Sequence, residues 1–270
     1  MAVIVGILIV ALIAGVFGSM LGVGGGVIMV PVLSLAFGVP IKTAIATSIV
    51  CVIATSSMAQ TSFASRGMTN MRLGMFLEVA TTVGAVAGGV TAVLIEGRIL
   101  QAAFAVVLFY VAWQMGRRRG DIVPVETAVM PSSYYDPAEG RQVSYGVHGL
   151  GVGFVLSFCA GNVSGLLGVG GGAFKVPIMN LLMGAPLKAT IATSNLMIGV
   201  TAATSAAIFY GRGYMDPHWV VPAALGILAG ARLGPRLATR MSARALSVTF
   251  QVVLSIFGLL MLLKAVGVPV

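Results

Sequence analysis

Two lysines, Lys42 and Lys188, occupy the settings in this chain that most plainly invite chemistry. Each follows a Gly-x-Pro (Gly38-Val39-Pro40 and Gly184-Ala185-Pro186), and so stands in the first turn of a helix opened by proline. A helix N-terminus carries partial positive charge, so a cation in its first turn is unfavourable unless an anion offsets both. Bare N–H groups, a lysine and nearby hydroxyls together make an anion site. The hydroxyls follow at once, Thr47-Ser48 in the first case and Thr193-Ser194 with Asn195 in the second. Plainer roles stay open for all of them. Lysines near a bilayer surface extend to lipid phosphates, and hydroxyls in apolar helices bond back to the i−4 carbonyl or join helices. At about 100° per residue, Lys42 and Thr47 lie roughly 140° apart, so an unbroken helix cannot aim both at one ligand.

Glycine clusters precede both sets: Gly22, Gly24, Gly25 and Gly26, then Gly168, Gly170, Gly171 and Gly172. Glycine lets backbone approach a ligand or another chain closely and takes positive φ freely. Two uses compete, a tight turn with close packing and a backbone cradle for an anion. If the cradle holds, Gly25→Ala and Gly171→Ala should keep or raise folded yield, since alanine favours helix, while substrate affinity falls. The spacing is not that of a phosphate-binding loop, which needs G-x-x-x-x-G-K-[ST] after a strand.

Lys175 is a third cation, inside an apolar eleven-residue piece, and such a charge at membrane depth marks a functional candidate. Met29 takes the corresponding place in the first half of the chain. Glu78, near the start of an apolar run, is a candidate for proton relay, whereas Glu96 falls at a loop. No Gly-x-Ser-x-Gly elbow, no His–Glu metal spacing and no paired intramembrane carboxylate is present, so catalysis finds little support and no cofactor or metal is implied.

The elements that must position these groups come as a duplication. Gly22 to Gly26, Val30-Pro31, Gly38, Pro40, Lys42 and Ala46-Thr47-Ser48 recur at Gly168 to Gly172, Val176-Pro177, Gly184, Pro186, Lys188 and Ala192-Thr193-Ser194, at a constant offset of 146 residues. Their solvent is lipid. Charged residues make up 9% of the chain against about 25% for a soluble domain, hydrophobic ones 58%, and the mean hydropathy is +1.04. Backbone groups unpaired in hydrocarbon are too costly for anything but helices or closed barrels. Nothing here alternates as barrel strands do.

The chain therefore reads as an all-α polytopic membrane protein of about eight full spans plus two broken or re-entrant half-helices. Spans are expected over 2–21, 41–63, 75–95, 100–116, 147–167, 187–209, 219–237 and 246–265, with short pieces over 27–37 and 173–183. Residues 1–116 form the first membrane repeat, 117–146 a polar cytoplasmic linker with room for a surface helix, and 147–270 the second repeat. The first run lacks the basic flank and cleavage site of a signal peptide and reads as a retained span. Tyr134, Tyr135 and Tyr145 suit the headgroup level. Cys51 and Cys159, far apart in apolar runs, read as buried small hydrophobes.

The net charge of +9 fits positive-inside loops and lipid phosphate and calls for no nucleic acid. Inverted repeats gather Arg66, Arg72, Arg117, Arg118, Arg119, Arg141, Arg240 and Arg244 on one side and leave Arg98 and Arg212 on the other. Parallel repeats would move Arg240 and Arg244 across, so inversion obeys the positive-inside rule better.

On the two motifs from Gly22 to Ser48 and from Gly168 to Ser194, the sequence resembles the TauE/SafE sulfite exporter family of permeases, which is also a duplication. The resemblance spans the whole chain. It implies a small inorganic or organosulfur anion, such as sulfite or a sulfonate, moved across the bacterial cytoplasmic membrane. A secondary transporter working by alternating access, with protons as the coupling ion, is the expected mechanism. The substrate site is expected where the repeats meet, drawing on Gly24, Gly25, Gly26, Lys42, Thr47, Ser48, Gly170, Gly171, Gly172, Lys175, Lys188, Thr193, Ser194 and Asn195. Discontinuous helices in corresponding positions of two halves are the strongest sequence pointer to such a site. An anion channel, or a membrane enzyme or sensor subunit on the same bundle, is the alternative.

Overall fold

The computed structural model describes residues 2–115, 129–136, 140–238 and 243–267. The expected boundary at residue 116, much of the polar linker, and Arg117, Arg118, Arg119 and Arg240 lie outside the described residues. Chain order is α1 (Ala2–Leu21), α2 (Gly26–Leu35), α3 (Ile41–Ala64), α4 (Met71–Leu94) and α5 (Gly97–Met115). A hairpin of β1 (Val129–Asp136) and β2 (Arg141–Val147) follows, then α6 (Leu150–Leu167) and α7 (Gly172–Pro177), which runs on as a π-helical turn over Ile178–Leu182. The last three are α8 (Leu187–Gly211), α9 (Pro217–Ala238) and α10 (Ala243–Val266).

Five of these helices, α1, α3, α4, α6 and α8, have the length and apolarity to cross a membrane. The protein is a helical membrane protein, and the outward face of α4, with Val79, Val83, Val86 and Val90 exposed, presents valine rather than charge. The breaks fall where glycine and proline put them. Leu21 and Leu167 end their helices in Gly-rich turns, and Gly25 (φ 70°) and Gly171 (φ 72°) cap α2 and α7 in left-handed conformation. Pro40 and Pro186 then open α3 and α8.

Packing is reciprocal about the 146-residue offset. α1 lies along α9, and α4 lies along α6, their equivalents in exchanged roles; α3 crosses α8 and α5 packs on α10. Glycines bring the backbones together. A Cβ at Gly84 or Gly88 on α4 would collide with the Phe158 or Asn162 carbonyl of α6, and one at Gly161 or Gly165 with the Thr81 or Ala85 carbonyl. Gly230 and Gly234 stand in the same way against α1, at the Leu12 and Val16 carbonyls. In lipid such contacts must come from close packing, because apolar burial there gains little.

The polar linker brings a correction: its described part is a β-hairpin, not a surface helix. Ser132 pairs with Tyr145 and Asp136 with Arg141. Tyr134 and Tyr145 are buried, their rings edge to face at 6.3 Å, while Tyr135 is exposed. Alternation explains the difference, since a strand sends successive side chains to opposite faces. Tyr145 packs into one core with Leu73, Leu77 and Met183, so the hairpin is seated on the helices. Burial raises the Tyr145 hydroxyl pKa above its ordinary value, against the lowering effect of side-chain hydrogen bonds with Ser132 and Asn70. Cys51 is buried as expected, but Cys159 is exposed on α6.

Candidate functional site

At the centre, the two glycine turns meet each other and the crossing of α3 with α8. Ser48 Oγ donates to the Gly168 carbonyl at 2.9 Å, and Ser194 Oγ to the Gly22 carbonyl at 3.0 Å. Each half thus holds the other half's turn. Space around the glycines is occupied by protein. A Cβ at Gly24 would lie 3.0 Å from Ile198 and 3.1 Å from Val52, one at Gly170 2.6 Å from Val52, and one at Gly26 2.6 Å from the Ser48 hydroxyl. A Cβ at Gly172 would run into the Gly22 carbonyl.

Gly25 and Gly171 carry a positive φ, so alanine there is strained by about 1–2 kcal/mol instead of favouring helix. The expectation that these two substitutions keep folded yield is corrected on that ground. A cluster of glycines signals close approach in the sequence but not the sign of φ.

The hydroxyls and amides between these turns divide into engaged and unengaged groups. Thr193 Oγ1 accepts from the Asn70 backbone N–H at 3.0 Å, and Ser56 Oγ donates to the Asn195 carbonyl. Asn195 Nδ2 donates to the Ile191 carbonyl at 3.0 Å. Thr47 Oγ1 and Asn195 Oδ1 are buried with no hydrogen-bond partner among the described residues. Buried polar atoms are seldom left unmade, and each such atom needs an account.

Lys42 and Lys188 stand away from that centre, at the starts of α3 and α8. Lys42 Nζ donates to the Val93 carbonyl in the last turn of α4 at 2.7 Å and lies 5.7 Å from the centre of the Tyr214 ring. A cation at a helix C-terminus suits the dipole. Lys188 Nζ grips both oxygens of Asp136, at 2.6 and 2.7 Å, and so fastens the hairpin to α8. Since α3 is unbroken from Ile41 to Ala64, Lys42 and Thr47 do not converge.

Lys175 has the opposite environment. Its ammonium is buried and donates to Thr201 Oγ1 at 2.6 Å and to Glu78 Oε2 at 3.3 Å. Glu78, also buried, accepts on Oε1 from Thr201 at 2.6 Å and Thr82 at 3.2 Å, and on Oε2 from Thr81 at 2.7 Å. Gly171 makes room for the lysine stem: a Cβ there would lie 3.3 Å from Lys175 Cε. The next residues form the π-helical turn, after Pro177 has removed an N–H from the ladder.

Thr201 escaped the sequence reading, and Glu78 was seen without its partner. The signal for both lies in the duplication. At offset 146, Glu78 faces Ala224, Thr81 faces Ile227, Thr82 faces Leu228 and Lys175 faces Met29. Opposite charges that both break the repeat have each other to pair with.

A groove of about 350 Å³ opens between the end of α3 and α8, lined on α3 by Ser56, Ser57, Gln60 and Thr61 and on α8 by Leu196, Gly199 and Val200. Gln60 Nε2 donates to Thr69 at 3.0 Å. The equivalents of its four polar residues are Ala202, Ala203, Ala206 and Ala207. Polar lining thus belongs to one side only.

The family model described as "Sulfite exporter TauE/SafE" matches residues 7–261. Two proteins of Bacillus subtilis (strain 168) are similar over nearly their full lengths. The one named "Probable membrane transporter protein YunE" is 24% identical over 261 residues, covering 93% of this chain and 94% of its own length. That named "Probable membrane transporter protein YdhB" is 23% identical over 256 residues, 95% of this chain and 99% of its own. A protein of Methanocaldococcus jannaschii, again named as a membrane transporter, is 25% identical over 272 residues, 95% of this chain and 94% of its own. No solved structure matches the chain significantly.

Proposed function

The chain belongs to the sulfite exporter TauE/SafE family of membrane transporters, and on that premise we propose that it is a secondary transporter of a small sulfur-containing anion across the cytoplasmic membrane. The observation that carries the site reading is the reciprocal meeting of two broken helices. Ser48 reaches the Gly168 turn and Ser194 the Gly22 turn beside the α3–α8 crossing. Irregular backbone at membrane depth is tolerated where it is buried in protein or lines a cavity, and transporter sites are built at such breaks.

The proposed site runs from the groove at Ser56 and Gln60 inward to Thr47, Asn195, Thr201 and Lys175. Thr47 contributes a buried hydroxyl that lacks a partner among the described residues and can donate to the anion, and Asn195 can donate only through Nδ2, now held by the Ile191 carbonyl. Lys175 contributes positive charge, with Gly24 to Gly26 and Gly170 to Gly172 setting the close approach of the two turns around it. Lys42 and Lys188 act in this reading as outer attractors, each on an oxygen partner that an anion can replace.

We read residues 1–116 and 147–270 as inverted repeats about the polar segment, which faces the cytoplasm. Helix direction supports this. Residues 65–70 turn the chain back between two spanning helices, so α3 and α4 cross in opposite senses. α4 then runs alongside α8 in the same sense, since Asn70 meets Thr193, Glu78 meets Thr201 and Gly89 faces Ile208. α8 therefore opposes its own equivalent, α3. Single cysteines at Arg66 and Arg212, in a chain with Cys51 and Cys159 replaced, should react with an impermeant maleimide from opposite sides. Reaction from one side overturns the inversion.

Purified protein in liposomes tests the transport reading, with labelled sulfite, thiosulfate, sulfate and methanesulfonate as probes. Saturable uptake of one or more is expected. Uptake of none overturns the sulfur-anion reading, and downhill flux that is never concentrative favours a channel.

A further inference from the structure

We propose that Glu78 and Lys175 are the coupling element of the transporter: a monovalent anion replaces Glu78 as the counter-charge of Lys175 only when Glu78 takes up a proton. The inference rests on the anion-transport reading above and goes beyond it by assigning the coupling residues and the stoichiometry.

Charge bookkeeping at the buried cluster leads to it. Glu78 and Lys175 are enclosed together, and the ion pair is shared through Thr201, which accepts from the lysine and donates to the carboxylate. Ionised, the pair has zero net charge, which a low-dielectric site tolerates; an uncompensated charge it does not. Adding one anion to that pair leaves a net charge of −1. Adding the anion and a proton restores zero: Glu78 becomes a neutral carboxylic acid, Lys175 stays an ammonium, and the anion takes the place of the carboxylate. The two neutral states differ by one proton and one anion, and the intermediate states with one of them are disfavoured.

The neutral acid has ready partners. Once protonated, Glu78 can donate from one oxygen to Thr201, whose hydroxyl rotates to serve as acceptor, or to the Glu78-facing hydroxyls of Thr81 and Thr82. Lys175 engages two of its three donors among the described residues, leaving one for the anion. Among the described residues, the surrounding elements bring no competing charge. α6, packed on α4, carries Cys159, which is exposed. α8 has Lys188 in its first turn, bound to Asp136, and the exposed Tyr210 near its end. α5, beside α7, has exposed Arg98 near its start and Tyr110 stacked on Phe174. On α4 itself Arg72 is exposed in the first turn.

The equivalent site in the other half lacks every charged member, with Ala224 for Glu78 and Met29 for Lys175. One coupling centre per chain follows, hence one proton per monovalent anion and electroneutral movement.

Proteoliposomes containing pyranine test this, with labelled methanesulfonate, a monoanion at every pH used, or labelled sulfite as probe. With equal buffer potassium and valinomycin to clamp the voltage, a one-unit pH gradient should drive about tenfold accumulation of methanesulfonate, with proton entry detected by the dye. An imposed membrane potential should leave that ratio unchanged. Glu78→Gln should lose pH-driven accumulation, and its remaining counterflow should no longer vary with pH. The double variant Glu78→Ala with Lys175→Met removes both charges together, so it should fold and bind neither probe.

If neither probe enters with the wild-type protein but thiosulfate or sulfate does, the monovalent coupling is overturned and the sulfur-anion reading stands; if none of the four enters, both fail. If a probe enters but the pH gradient has no effect, or Glu78→Gln accumulates it as before, the coupling alone is overturned and the transport reading stands. Accumulation by a folded double variant overturns it as well.

Discussion

Two neighbourhoods of this molecule are built from equivalent elements and have come to differ in charge. Around Thr201, α4, α7 and α8 enclose Glu78 and Lys175; around Thr55, α9, α2 and α3 offer Ala224 and Met29 in their places. Both threonines bond back to the i−4 carbonyl, Thr55 to Cys51 at 2.8 Å and Thr201 to Met197 at 3.0 Å. Only Thr201 also serves a carboxylate and an ammonium. The scaffold therefore does not require the ion pair, because the same packing is completed by methionine and alanine on the other side. What a frame does not need for folding is free to serve function, and a buried ion pair is weak evidence for stability in any case.

The largest test of the comparison lies in splitting the pair. Lys175→Met alone leaves Glu78 buried without its counter-charge and should cost about 3–5 kcal/mol of stability. Combining it with Glu78→Ala should recover most of that loss. Thermal melts in detergent check this, and a double variant no more stable than Lys175→Met would mean that the two halves are not interchangeable scaffolds.

Next in size are the equivalent glycines Gly25 and Gly171. Alanine at either meets a positive φ and should cost about 1–2 kcal/mol. The consequences for function should diverge, because the new Cβ meets Ile227 at 2.9 Å in the first case and Lys175 Cε at 3.3 Å in the second. Gly171→Ala should alter the pH dependence of uptake, and Gly25→Ala should lower folded yield without doing so.

The outer lysines should matter less. Lys188 is partly exposed, so solvent screens its ion pair with Asp136, and Lys188→Gln should cost about 1 kcal/mol or less. Its mark should be faster proteolysis within the hairpin. Lys42→Gln should leave the hairpin untouched, and uptake by the double variant should fall by a few-fold through a raised KM. Unchanged uptake would make both lysines anchors of helix ends and nothing more.

The smallest effect concerns pH at the hairpin. A tyrosine whose pKa is raised on folding adds no pH dependence while it stays protonated in both states. Above its ordinary value near 10 the unfolded form loses the proton first, so attachment of the hairpin should weaken as pH rises further. Tyr145→Phe should remove that alkaline dependence, measured as the pH profile of proteolysis at residues 129–147.

Much of this frame was legible in the sequence because of one arithmetic regularity. A gapless offset of 146 residues locates equivalent turns, equivalent prolines and equivalent lysines without any structure. Composition then demands helices in lipid, and Gly-rich breaks mark where they stop. Pairing was not legible. Glu78 and Lys175 are 97 residues apart, and each draws notice singly as a charge in an apolar run. Thr201 gives no sign at all, since its twin Thr55 is the same residue; the difference is in what faces it. The hairpin was obscured for another reason. Its alternation is short and sits in a polar segment where a helix, a loop and a strand pair have similar composition, and only the burial of Tyr134 and Tyr145 distinguishes them.

The exchanged contacts also govern how the protein can be made. The long partner of α1 is α9, whose first residue follows α1's last by almost 200 positions, and the Gly22 carbonyl waits for Ser194. A ribosome delivers these in order, so the first half enters the bilayer with its broken helix unsupported and α1 without its long partner. That state must persist until most of the second half has been inserted. Chaperone or insertase cover for the unpartnered α1, and rapid degradation of chains truncated before α9, are the expected signs of such an assembly order.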